Sequence, residues 1–151
     1  IDMSTTRFCD DAMLDRLPRS HDMADYLEEK GKVLVALSAG HDGEPASSLH
    51  SRRLTNIGPF RAYVEAYLGH HPKIHPGLTF LVRQLAQTEH GLPLEIYVFS
   101  SDQDWVAYEG IQADIFDHLL AVVSQFDLSI YQRIGNAGAR VQEGAPQSAA
   151  G

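Results

Sequence analysis

Three features of the sequence predict an α+β fold: a ferredoxin-like βαββαβ sandwich with a largely helical insertion after the first strand. Two alternating runs, 79–87 and 94–100, flank Gly91-Leu-Pro and read as an antiparallel hairpin. Apolar residues at three- and four-residue steps mark a helix before that hairpin and a longer one after it. The order along the chain is strand, inserted arm, helix, hairpin, helix, strand, which is that of a split βαβ unit with its helices on one sheet face.

The first strand is expected at residues 1–8, where Ile1, Met3 and Thr5 alternate with Asp2, Ser4 and Thr6. Residues 9–52 form the inserted arm. There Asp10 or Asp11 can cap a helix carrying Met13, Leu14, Leu17, Met23, Tyr26 and Leu27, which Pro18 divides in two. Val33, Leu34, Val35 and Leu37 suit either a buried strand or a continued helix, and 40–51, rich in Gly, Ser, His and Pro, reads as a loop.

The main domain is expected over 53–134. Thr55 or Asn56 can cap a helix presenting Ile57, Phe60, Val64, Tyr67 and Leu68, which Gly69 and Pro72 end. After the hairpin, Asp102 or Asp104 can cap the longest helix. Its stripe of Trp105, Tyr108, Ile111, Ile115, Leu119, Val122 and Phe126, widened by Phe116, Leu120 and Val123, has to lie against a sheet. Leu128 to Arg133 alternates again as a final strand, and 135–151 is too poor in apolar residues to order itself.

Composition narrows the function classes. With 44% hydrophobic and 21% charged residues the 151-residue chain has the make-up of one globular domain with appendages. A net charge of -8 opposes attraction to phosphate backbones, so no nucleic-acid partner is expected. Cys9 is the single cysteine and cannot form an intramolecular disulfide. No stretch approaches the ~18 apolar residues of a membrane span, and the chain opens at Ile1 without a signal-peptide layout, which suggests a piece of something longer.

Chemistry-bearing motifs are weak. His70, His71 and His75 have metal-like spacing, but Pro72 and Pro76 break the helix that would align them, so a surface loop is the expectation. Asp117 and His118 are adjacent on a helix and point apart, which favours a solvated face over a catalytic dyad. Asp10 and Asp11 would raise rather than lower the Cys9 thiol pKa. Neither a phosphate-binding glycine loop nor a nucleophile elbow occurs. We therefore expect no enzyme, no metal and no cofactor.

The hairpin is more informative. If Leu94, Ile96 and Val98 face the helices, Tyr97 and Phe99 project from the other sheet face. Large apolar groups there call for a partner, and Tyr97, Phe99, Leu81 and Tyr131 are the candidate subunit interface. Glu95 beside Tyr97 argues against an RNA-recognition surface, and the inserted arm could equally cover the rings.

Two stretches resemble a known family. Arg53-Leu-Thr-Asn-Ile-Gly-Pro-Phe-Arg-Ala-Tyr-Val-Glu-Ala-Tyr-Leu, and Gly91 through Trp105 continuing as Tyr108-Glu-Gly-Ile-Gln-Ala-Asp-Ile-Phe-Asp-His-Leu-Leu-Ala-Val, look like the cytoplasmic region of miniconductance mechanosensitive channels of the MscS family. With Leu81-Val-Arg-Gln-Leu and the opening Ile-Asp-Met-Ser, the likeness spans most of 1–8 and 53–132. Pro59, Val98 and residues 31–51 depart from the pattern.

The resemblance implies a C-terminal domain at the cytoplasmic face of a bacterial inner membrane, in a homo-oligomer that is a heptamer in the family. Its role there is to wall a vestibule and join subunits while absent N-terminal spans sense tension during osmotic downshock. The alternative is a free-standing ferredoxin-like module whose open sheet face binds a small molecule.

Overall fold

The computed structural model describes residues 1–17, 21–38 and 54–132. It is a mixed helix-and-sheet unit of four helices and a two-stranded antiparallel sheet. The tail 135–151 and the loop 40–51 lie outside the described residues.

Helix α1 (Asp11–Arg16) begins where Asp10 accepts a hydrogen bond from the Met13 amide. Helix α2 (His21–Ser38) follows beyond Pro18 and carries the ambiguous segment after Gly31 as helix rather than strand. Met13, Leu17 and Met23 drop from this arm into the core. Helix α3 (Ile57–Gly69) presents Ile57, Phe60, Val64 and Leu68 to the same core. Asn56 sits at its N-cap position but makes no capping bond, because its side chain is engaged elsewhere.

Strands β1 (Leu81–Gln84) and β2 (Leu94–Tyr97) form the expected hairpin in shorter form, pairing Leu81 with Tyr97, Val82 with Ile96, Arg83 with Glu95 and Gln84 with Leu94. At the turn, Gly91 has φ 91, and a Cβ there would lie 2.3 Å from the Ile1 carbonyl oxygen, so a residue without a side chain is required. Helix α4 (Trp105–Val122) is capped by the Asp104 carboxylate, which accepts from the Ala107 amide. A 3-10 turn, Val123–Phe126, continues it until Asp127 turns left-handed at φ 52. Asp is among the few non-glycine residues that tolerate this conformation.

Both expected end strands need correction. In place of a strand at residues 1–8, Met3–Thr5 is a 3-10 turn. Asp2 Oδ1 accepts from both the amide and the hydroxyl of Ser4, at 2.9 and 2.7 Å, and this local closure wins over extension. Only the ends of that segment pair: Ile1 exchanges hydrogen bonds with Leu92, and Phe8 bridges Thr55. Of the strand expected from Leu128 to Arg133, the described residues 128–132 are likewise no strand; there the Asp2 amide donates to the Ser129 carbonyl at 2.8 Å and the Ser129 amide to the Thr5 hydroxyl at 3.2 Å. The helix stripe needs correction too, since Val123 is buried but Phe116 and Leu120 face solvent.

The fully buried Asn56 ties these segments together. Its Oδ1 accepts from the Arg7 amide at 3.0 Å, and its Nδ2 donates to the carbonyls of Thr5 and Phe126 at 3.0 and 3.1 Å. A side chain bonded to three backbone groups on two distant stretches of chain satisfies the rule that buried polar groups find partners.

Candidate subunit interface

Alternation along β1 and β2 sorts the hairpin into two faces. Val82 is buried, and Leu94, Ile96 and Val98 pack against the core that α3 and α4 supply. On the other face Tyr97 is 50% exposed and Phe99 39%, their rings meeting edge to face at 5.4 Å between centroids. Leu81, directly across the ladder from Tyr97, is exposed beside them. The next pair on this face is Arg83 with Glu95, joined by an ion pair of 2.5 Å.

Three of the four residues singled out from the sequence are thus brought together. Tyr131 is not among them. It is half-buried at the turn end of the hairpin, its ring edge-on to His90 at 5.9 Å and its Cβ close to Gly91. The described part of the arm, α1 and α2, does not cover Tyr97 and Phe99: α2 packs on α3, and both rings stay exposed.

Elsewhere the titratable groups serve structure. His70 and His75 turn Nδ1 to the Ala66 carbonyl and the Gly77 amide, and His71 Nδ1 accepts from the Lys73 amide. The Cys9 thiol is half-buried and its pKa is pushed up, first by burial, with Asp10 and Asp127 adding to it and Arg7 opposing. Among the described residues no group of three potential metal ligands converges.

One expectation is corrected here. His118 does not lie on a solvated face: it is half-buried between α3 and α4, with Nε2 2.7 Å from the Tyr63 hydroxyl and its ring stacked on Tyr67 at 4.1 Å. Asp117 beside it is exposed. Burial raises the phenol pKa of both tyrosines, so neither is an activated nucleophile.

The sequence reading missed the outer side of α4, where Trp105, Val106, Phe116 and Leu120 are exposed. It also missed an apolar cleft of about 110 Å³ between β2 and α4, whose walls include Ile96, Val98, Ile111 and Ile115. The signal was available in angular position: at 100° per residue, Phe116 and Leu120 fall well to one side of Ile115, Leu119 and Val122.

The geometry defines a class: a mixed helix-and-sheet protein with an aromatic, apolar outer sheet face. No helix among the described residues is long and apolar enough to cross a membrane. No family model matches the chain, and no solved structure matches it.

Proposed function

We propose that this chain is a structural, non-catalytic domain that assembles with copies of itself through the outer face of its hairpin. Its place is the cytoplasmic vestibule wall of a mechanosensitive channel of the MscS type. The observation that carries the self-association is the Tyr97–Phe99 pair with Leu81, which leaves aromatic surface in water on a strand pair otherwise built to pack. The channel assignment rests on the sequence likeness over 1–8 and 53–132.

Its sheet is read as ferredoxin-like. A split βαβ sheet places its first strand between its third and its last, and Ile1–Asp2 is hydrogen-bonded to Leu92 on one side and Ser129 on the other. In a channel such a domain performs no chemistry. It biases the closed-to-open equilibrium through subunit contacts that differ between the two states.

Light scattering coupled to size exclusion tests the reading. A concentration-dependent mass above that of one chain is expected, and Tyr97→Ser with Phe99→Ser should shift the association midpoint at least tenfold. A chain that stays monomeric at every concentration would overturn it; a compact dimer that binds a small molecule would favour the free-standing module.

A further inference from the structure

Besides the hairpin face, the described fold leaves apolar side chains open on α4. On α4, Trp105 is 71% exposed, Phe116 51% and Leu120 54%. Spaced by eleven and four residues, they form a single stripe along the helix. Roughly a quarter turn round the helix, Ile115, Leu119 and Val122 are buried in the core. The two surfaces are therefore distinct, one on the outer face of the hairpin and one on the flank of α4 beside the cleft to β2.

Beside the α4 stripe the cleft between β2 and α4 opens, with Phe116 among its walls. At about 110 Å³ it has room for one aromatic ring, well short of the ~300 Å³ at which sites for larger ligands begin. The hairpin face offers two such rings.

Charge separates the ways two copies could meet. Helix α4 has no Lys or Arg, and Glu109 falls within the stripe with Asp117 at its border, so α4 against α4 would set these carboxylates near one another with no cation to offset them. The hairpin face carries Arg83 balanced by Glu95, so α4 against the hairpin meets no like-charge penalty of that kind. A contact of hairpin with hairpin would cover one apolar surface and leave the other open on every copy.

We propose that the α4 stripe and its cleft are the second half of the subunit contact: the Tyr97–Phe99 pair of one copy packs on Trp105, Phe116 and Leu120 of the next. This rests on the self-association reading and adds the docking partner of that face. A single repeated contact between unlike surfaces covers both on every copy, and such head-to-tail contacts close into rings when the rotation allows.

The test is disulfide trapping in the full chain with Cys9→Ser, using Phe99→Cys and Phe116→Cys, each alone and mixed in equal amounts. Mild oxidation is expected to give cross-linked dimer in the mixture and none in either variant alone. Cross-linking of either variant with itself would overturn the proposal. In parallel, Phe116→Ser with Leu120→Ser, both solvent-facing, should weaken association at least tenfold by light scattering while leaving the circular dichroism spectrum intact. Unchanged association would overturn the proposal and leave self-association standing, whereas an unsubstituted chain that is monomeric throughout defeats both.

Discussion

Asn56 shows how one amide can hold together a fold with two short strands among its described residues. Replacing it by Ala would strand the Arg7 amide and the Thr5 and Phe126 carbonyls away from their shared partner. Unsatisfied buried groups cost ~1–3 kcal/mol each, so Asn56→Ala should lose about 3 kcal/mol in urea unfolding. Asn56→Asp should lose more, because a carboxylate would face the carbonyl oxygens that Nδ2 now serves. At Gly91 the obstacle is backbone: Gly91→Ala adds a positive-φ penalty and drives a methyl into the Ile1 carbonyl. A loss of about 2 kcal/mol or more is expected by thermal melting, where an exposed glycine with ordinary φ such as Gly69 would show little change or a gain.

At the scale of elements, helix starts were legible where a carboxylate precedes an apolar period, as Asp10 and Asp104 show. Asp104→Ala should therefore cost about 1 kcal/mol, read as a lowered melting temperature with α4 otherwise unchanged. The hairpin was legible because alternation and Gly91 agree. The end strands were not. Alternation at Ile1–Thr5 is a statement about faces, whereas pairing depends on partners far along the chain, and the short polar side chains of Asp2 and Ser4 offered the backbone a nearer one. Tyr97 and Phe99 could be read from period two, but Trp105, Phe116 and Leu120 could not be separated from the core stripe while all three were assigned inward with it. His118 was placed in solvent by the same reasoning about its own helix. Its partners, Tyr63 and Tyr67, sit on α3, and no spacing within α4 reports them.

For the molecule as a whole, Arg7, Asp10, Arg16 and Asp127 form a charged clasp joining the N-terminal segment, α1 and the turn after α4. The bond from Arg7 is the main reason the Asp127 carboxyl titrates below its usual range, while the Met13 amide does most for Asp10, followed by Arg7. A carboxylate with a depressed folded pKa contributes stability that is fully present above its unfolded pKa and is lost as pH falls through the folded value. Chemical unfolding between pH 6 and pH 3, on the order of the carboxylate range, should then show a steeper acid loss for the unsubstituted chain than for Asp127→Asn. Equal slopes would show that the clasp adds nothing beyond surface pairing. Asn also suits the left-handed backbone at 127, which confines the comparison to charge.

The tethering of Ile1 has a mechanical consequence. Its bonds reach Leu92, its neighbour Asp2 reaches Ser129, and five residues on the Arg7 amide is gripped by Asn56. A pull applied at residue 1 would load the Ile1 and Asp2 attachments and pass the force to two otherwise separate parts of the domain.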